Sequence, residues 1–150
     1  MAAPKQPVLL FVYGTLATSS DHPLGELMRS SAAPIGQGSI RGRLYIIDDP
    51  DEPGRNRYPG ALPSGHAGDR VHGEVYQLTG DPTELLAILD RYEACSADWP
   101  EPHEFMRRPV KVTLDNGELL TAQCYLYTWD VSGAEPVASG RYPGNLPHVR

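Results

Sequence analysis

Runs and alternations of apolar residues divide much of the chain into short strands. Residues 8–13 form an unbroken apolar run that ends in a tyrosine, and such a run predicts a buried strand. Residues 38–47 and 70–78 predict two further strands, and the second of these alternates well between two faces. Residues 48–69 show no apolar period. They therefore predict a long surface loop, which is a kind of segment that often carries function.

Residues 81–93, DPTELLAILDRYE, carry the clearest helix signals in the chain. Asp81 can cap the helix, Pro82 suits the first helical position, and Glu84 completes a capping-box pattern. Residues 22–30 predict a second helix that is shorter and has a weaker pattern.

Residues 105–129 predict a β-hairpin. An Asp-Asn-Gly turn at 115–117 separates two strand-like runs, which is a strong hairpin signal. Pro109 indicates that the first of these strands lies at an edge or a bulge, because proline cannot donate to a strand ladder. Cys124 alternates with apolar residues and is predicted to lie in the core. Residues from Val131 onward are predicted to be irregular.

The composition is that of an ordinary soluble globular chain. Its 150 residues suggest a single domain over 1–150, and 40% apolar against 21% charged residues excludes the disordered class. The 15 glycines and 15 prolines favour turns and short strands over long helices. A formal net charge of −6 without a basic cluster disfavours binding to nucleic acid or to an anionic membrane.

Cysteine usage and the lengths of the apolar runs predict the cellular compartment. Cys95 and Cys124 stand alone, without a Cys-x-x-Cys motif, which is typical of reduced thiols in a cytosolic protein. No segment reaches transmembrane length. We interpret the N-terminal apolar run as the first strand and not as a signal peptide, because a Tyr-Gly-Thr sequence interrupts it. We therefore expect a cytoplasmic protein.

Glu93 occupies an unusual position on the predicted helix. At about 100° per residue, with Leu85 at zero, Leu89 falls at about 40° and Glu93 at about 80°, inside the apolar arc. A carboxylate aimed at the core is costly unless it is paired or neutral. Two interpretations stay open. Either the helix ends here and Glu93 points to solvent, or Glu93 is a partly buried acid with a raised pKa that suits proton transfer.

The other reactive residue types form no familiar catalytic or metal-binding pattern. The five histidines lack metal-ligand spacing, and the chain has neither a phosphate-binding loop nor a nucleophile elbow. We therefore expect a site without a metal or an organic cofactor. Tyr125 and Tyr127 share one strand face, which fits core packing and a pocket equally well. Gly14, directly after the first strand, fits either a tight turn or a place where a ligand approaches the backbone.

Several motifs occur together in the order found in one family. The chain resembles the gamma-glutamylcyclotransferase-like superfamily, in its small bacterial and avirulence-induced-gene-like branch. The likeness covers nearly the whole chain and rests on the ordered set of motifs. These motifs are Tyr13-Gly14-Thr15-Leu16, Asp21-His22, Gly42-Arg43-Leu44-Tyr45, Tyr58-Pro59-Gly60, the sequence VHGEVY at 71–76, Leu89-Asp90-Arg91-Tyr92-Glu93, Arg107-Arg108 before Val110-Lys111-Val112, and the strand from Ala122 to Tyr127.

The resemblance implies an α+β fold, a small mixed β-barrel with flanking short helices. It also implies that Glu93 is the catalytic acid–base residue, and that the backbone of the turn at Tyr13, Gly14, Thr15 and Leu16 binds substrate. In this view Gly14 permits close approach of the substrate, while N–H groups of Thr15 and Leu16 donate to it. The further substrate-binding candidates that follow from the matched motifs are Tyr45 and Tyr125.

The activity implied by the resemblance is an intramolecular aminolysis. The α-amine of a γ-glutamyl group attacks its own γ-carbonyl, closes 5-oxoproline and releases an amine or amino acid. The expected partner is thus a small γ-glutamyl molecule. Two alternatives remain. One is a binding module that keeps the pocket without turnover, and the other is an amide hydrolase in which Glu93 activates water.

Overall fold

The structure, a computed structural model, describes residues 7–13, 30–51, 53, 57–92, 95–97 and 99–142. Within these ranges the elements are, in chain order, strand β1 (Leu9–Val12), strand β2 (Ala32–Asp48), strand β3 (Arg57–Pro63), strand β4 (Arg70–Leu78), helix α1 (Pro82–Tyr92), strand β5 (Phe105–Leu114), strand β6 (Leu119–Tyr127) and strand β7 (Glu135–Val137).

Five strands close into a barrel in the order β2-β4-β1-β6-β5 and back to β2. Strands β1 and β6 are parallel, and the other neighbours are antiparallel, so the predicted small mixed β-barrel is confirmed. Closure occurs where Gly38 of β2 pairs with Leu114 of β5. A Cβ on Gly38 would lie 2.6 Å from the carbonyl oxygen of Thr113, so only glycine permits this approach of the two backbones.

The predicted loop over residues 48–69 is wrong in its centre, because β3 lies there. Strand β3 pairs with the second half of β2, with Tyr58 opposite Ile47 and Ala61 opposite Leu44. Tyr58 and Ala61 are buried. Burial on both faces removes the alternation that marks a strand in the sequence, and the proline and glycine between them resemble a turn. The tail after Val131 is also less irregular than predicted, since β7 pairs with the other edge of β2.

The core has two layers, one inside the barrel and one outside it. The inner cluster takes a residue from each barrel strand, including Phe11, Val71 and Cys124. The outer cluster contains Leu10 and Val12 together with residues of α1. Neighbouring residues of β1 thus enter different layers, which explains why this strand is apolar without interruption.

Helix α1 and the hairpin agree with their predictions. The backbone N–H of Thr83 donates to Asp81 Oδ1 at 3.0 Å, so Asp81 caps the helix. Leu85 and Leu89 are buried against the outer layer. The hairpin of β5 and β6 turns at Gly117, which has a positive φ of 89°.

The predicted helix over 22–30 lies outside the described residues except for its last position. Among the residues that the structure describes, no helix is long and apolar enough to cross a membrane.

Candidate active site

The described part of the chain contains three of the seven predicted site residues: Tyr13, Tyr45 and Tyr125. The other predicted residues lie outside the described ranges, and they are Gly14, Thr15, Leu16 and Glu93. The site is therefore built from the elements that lead into these segments, namely the end of β1 and the end of α1.

Tyr13 directly follows β1 and joins two other strands. Its hydroxyl donates to the carbonyl oxygen of Tyr125 in β6 at 2.6 Å and accepts from the backbone N–H of Ala61 in β3 at 3.2 Å. Strands β3 and β6 are not paired with each other, so this hydroxyl satisfies a backbone group on each. These contacts assign Tyr13 a structural role at the entrance to the predicted substrate-binding turn.

Tyr125 is almost completely buried, and its hydroxyl donates to Asp90 Oδ1 at 2.6 Å. Burial, with the hydrogen bond to Asp90 as a second cause, raises the pKa of Tyr125 well above its usual range. The phenol therefore stays protonated at neutral pH and acts as a hydrogen-bond donor.

Asp90, in the last turn of α1, is held by an arginine as well. Arg107 of β5 donates through Nε to Asp90 Oδ1 at 2.9 Å and through Nη2 to Asp90 Oδ2 at 3.2 Å. Its Nη1 reaches Gln123 Oε1 at 3.1 Å. The hydrogen bond to Asp90 is the main reason that the pKa of Arg107 is raised. A bidentate pair of this kind fixes both orientation and charge.

On the predicted helix Asp90 falls opposite the apolar arc or at its border, so the helix pattern by itself gives no sign of its role. The predicted hairpin could have indicated this carboxylate-binding pair, because its turn sets Arg107 directly opposite Tyr125 in the strand register. An arginine and a tyrosine side by side on a sheet form a natural partner for a carboxylate. The location of that carboxylate on α1 was not visible in the sequence.

Tyr125 thus links two of the predicted site segments. Its carbonyl oxygen holds Tyr13 at the end of β1, and its hydroxyl holds Asp90 at the end of α1. The backbone N–H of Cys95 also donates to the Asp90 carbonyl oxygen at 2.9 Å, so the chain on the far side of residues 93 and 94 returns to the same helix turn.

Tyr127 belongs to the aromatic packing between β3 and β5. Its ring meets Phe105 edge-on, with centroids 5.3 Å apart. A Cβ on Gly60 would lie 3.0 Å from the Tyr127 Cβ, which explains the glycine of the Tyr-Pro-Gly motif. Tyr58, from the same motif, donates a short hydrogen bond to Glu104. For Tyr127 the packing interpretation is therefore the better one.

Tyr45 lines a cavity of about 320 Å³ together with Arg43, Arg70 and His72. The described lining includes neither Tyr13 nor Tyr125. Contact between Tyr45 and the substrate stays a prediction.

Comparisons with known proteins agree with the fold. A solved structure of an AIG2-like protein from Mus musculus superimposes with a TM-score of 0.68 at 21% identity, covering 95% of this chain and 92% of that one. A structure named gamma-glutamyl cyclotransferase gives a TM-score of 0.61 at 20% identity, covering 87% and 70%. YkqA from Bacillus subtilis gives 0.61 at 21% identity, and the match covers 91% of this chain but only 40% of YkqA.

Sequence comparison identifies the family. No curated protein matches the chain by sequence. The family model described as gamma-glutamyl cyclotransferase, AIG2-like, matches residues 10–144. This match spans nearly the whole chain and confirms the resemblance based on the motifs. The chain belongs to the gamma-glutamyl cyclotransferase, AIG2-like family.

Proposed function

We propose that the protein cyclises a γ-glutamyl amine or γ-glutamyl amino acid to 5-oxoproline and releases the amine. Family membership supports this class of reaction. Glu93 is the proposed acid–base residue, and the turn at residues 13–16 is the proposed substrate-binding segment.

The observation that carries this proposal is the double role of Tyr125. Tyr13 and Asp90 are both hydrogen-bonded to this one residue. Gly14 follows Tyr13 in the chain, and Glu93 comes three residues after Asp90. The first residue of the proposed binding turn and the helix residue that leads to the proposed acid–base residue are therefore both hydrogen-bonded to Tyr125 of β6.

The proposed reaction needs proton transfer and orientation but no protein nucleophile. The α-ammonium gives one proton to the Glu93 carboxylate, and the free amine then attacks the γ-carbonyl carbon. After the new C–N bond has formed, Glu93 gives this first proton to the leaving nitrogen and becomes a carboxylate again. It then takes the second proton from the attacking nitrogen and passes that proton on as well, while the bond between the γ-carbon and the leaving nitrogen breaks. The products are 5-oxoproline and a protonated amine, and Glu93 is again a carboxylate.

The protein's main contribution would be the shape it imposes on the substrate. Holding an amine and a carbonyl in reacting geometry lowers a barrier by about 7–11 kcal/mol at best. Backbone N–H groups of the turn are proposed to bind the substrate carboxylate or the developing oxyanion. Arg107 is already paired with Asp90, so its proposed role is to hold the helix end and not to bind substrate.

A product assay tests the proposal directly. The purified protein is incubated with a panel of γ-glutamyl amines and γ-glutamyl amino acids, and 5-oxoproline and free glutamate are measured. Release of 5-oxoproline is expected. Free glutamate in its place would identify a hydrolase, and the absence of both products would identify a binding module. Either result would overturn the proposal.

The substitution Glu93→Gln tests the assignment of the acid–base residue on any substrate found. Glutamine has almost the same shape but cannot accept the proton, so turnover should fall by about 10²- to 10⁴-fold while the protein stays folded. Glu84→Gln is the matched control, because Glu84 is exposed in the first turn of α1. It should leave turnover unchanged. Near-normal turnover in Glu93→Gln would exclude Glu93.

The substitution Gly14→Val tests the proposed binding turn. A branched side chain at this position should block substrate approach and raise KM, with little change in thermal stability. Gly36→Val is the control, since a Cβ on Gly36 would have no described atom within 4 Å. Unfolding of Gly14→Val alone would indicate a purely structural turn.

A further inference from the structure

The 320 Å³ cavity lies on the outer face of the barrel, between β2, β4 and residues 136–139. Its volume falls at the lower end of the roughly 300–1,000 Å³ that small-molecule sites occupy. Arg70 and His72 of β4 line it and alternate with Val71, which points into the barrel. Arg43 of β2 lines the same cavity.

Arg43 and Arg70 are each hydrogen-bonded to a neighbouring residue and have further N–H donors that these bonds do not use. Arg43 donates through Nε to Asp69 Oδ2 at 2.9 Å. Arg70 donates through Nε to Ser39 Oγ at 3.0 Å and through Nη2 to the Ser39 carbonyl oxygen at 3.4 Å. A guanidinium group carries five N–H donors, and these contacts use only some of them. The remaining donors are available to an anion without a large cost of ordering the side chains.

The cavity has a positive charge that its own carboxylate does not cancel. Asp69 is the acidic residue of the described lining, and it is paired with Arg43. A hydrogen bond from Ser64, at 2.7 Å, is the main reason that the pKa of Asp69 is lowered, and Arg43 adds to the effect. Among the residues that the structure describes, Arg70 has no ion-pair partner.

His72 has a lowered pKa, mainly because it is partly buried and next because of the positive charge of Arg141. Asp115 opposes this, and the lowering by Arg70 is the smallest of these effects. In a chain with a formal net charge of −6, this positive cavity is a local exception. The neutral imidazole of His72 can donate one N–H to a ligand and can gain a second on protonation.

We infer that this cavity binds a small oxyanion, which is a phosphate or carboxylate group carried by a small molecule. Arg43 and Arg70 supply charge-assisted hydrogen bonds from two strands, and His72 adds a donor on the far side of Arg70 from Arg43. This site is separate from the residues proposed for the γ-glutamyl chemistry, except that Tyr45 is part of its lining. It does not depend on that proposal.

Titration of His72 with simple anions tests the inference. The ring protons of His72 are followed by NMR against pH at constant ionic strength, with sulfate or acetate replacing chloride. Sulfate represents a phosphate group and does not itself titrate in this range, whereas acetate represents a carboxylate. The anion that fits should raise the pKa of His72 and bind more tightly as the pH falls. If neither anion moves the His72 signals beyond the chloride control, the inference is wrong.

Three substitutions locate the binding. Arg70→Gln should lower the affinity for whichever anion binds by roughly tenfold to a hundredfold, the usual contribution of hydrogen bonds to charged groups. Arg43→Gln should do the same and replaces Arg70→Gln if that variant fails to fold. Asp69→Asn should strengthen binding, because it removes a negative charge from the cavity.

Two controls distinguish binding in this cavity from binding elsewhere on the protein. Arg108→Gln removes the same charge from an exposed position on β5 and should change the affinity less than twofold. Glu93→Gln should leave anion binding intact whether or not it abolishes turnover. Equal weakening by Arg108→Gln, or loss of binding in Glu93→Gln, would show that the anion does not bind in this cavity.

Discussion

Two Asp–Arg pairs in this protein have the same contact distance and different surroundings. The Nε atom lies 2.9 Å from a carboxylate oxygen both in Arg107–Asp90 and in Arg43–Asp69. The Arg107 side chain is 30% exposed, whereas that of Arg43 is 58% exposed. Asp90 also accepts a second bond from Arg107 and one from the buried Tyr125.

This difference shows that contact distance alone does not determine how much an ion pair contributes to the stability of the fold. An exposed pair is screened by water, and its two long side chains lose entropy when they are held together. A pair with a second hydrogen bond and a buried donor loses more when one partner is removed, because the other partner stays desolvated. We therefore assign the pair at Asp90 to holding α1 and the pair at Asp69 to shaping a cavity.

The largest expected difference between the two pairs is in stability. Arg107→Gln should lower the free energy of unfolding by about 1–3 kcal/mol, with partial screening by water keeping it below the cost for a fully buried pair. Arg43→Gln should give no measurable change. Urea denaturation of both variants makes the comparison. Equal losses in the two variants would contradict it.

Alkaline pH should weaken the Asp90 region in particular. The pKa of Tyr125 is raised above its ordinary value of 10.0, so its neutral form stabilises the fold fully below about pH 10. Above pH 10 the unfolded chain releases this proton and the folded chain does not. Stability should then fall by up to about 1.4 kcal/mol per pH unit from this group.

The matched variant for the alkaline experiment is Tyr125→Phe, which should have a shallower loss of stability above pH 10. Burial raises the pKa of Tyr142 to about 12, and its contribution stays in both proteins. Unfolding curves at pH 9, 10 and 11 measure the two slopes. Parallel slopes would mean that Tyr125 ionises as easily in the folded protein as in the unfolded chain.

At neutral pH, Tyr125→Phe should cost about 1.5 kcal/mol, the lower end for a hydrogen bond to a charged group, because the ring still packs and Asp90 keeps its bonds from Arg107. The double variant with Arg107→Gln should show a loss that differs from the sum of the two single losses, since both residues hold one carboxylate. Strict additivity would indicate that Tyr125 and Arg107 act on Asp90 independently.

The smallest expected effect belongs to the cavity at Asp69. The pKa of His72 is lowered from an ordinary value of 6.5, so its contribution to stability is present above pH 6.5 and is lost as the pH falls below that value. The effect should be smaller than that of Tyr125, because His72 is only partly buried whereas Tyr125 is almost completely buried. His72→Gln should remove it, as measured by thermal unfolding between pH 5 and 7. An unchanged pH profile in that variant would assign the acid sensitivity to other groups.

Much of the fold was predictable because its signals are local. The prediction of 81–93 for α1 agrees with the observed Pro82–Tyr92 to within one residue at each end, since the cap and the apolar arc lie within the helix itself. The hairpin turn fixed the register of β5 and β6. Strand β3 was missed because its burial depends on β2 and on Tyr127, far from it in the sequence.

The sequence by itself determined the family, the barrel strands β1 and β4, helix α1, the terminal hairpin and the candidate Glu93, since each depends on residues close together in the chain or on motifs in a fixed order. Tertiary structure decided how those pieces meet. Asp90 is 17 residues from Arg107 and 35 from Tyr125. Whether such charges pair, and how much water remains around them, depends on the packing of separate elements, and no local pattern encodes that packing.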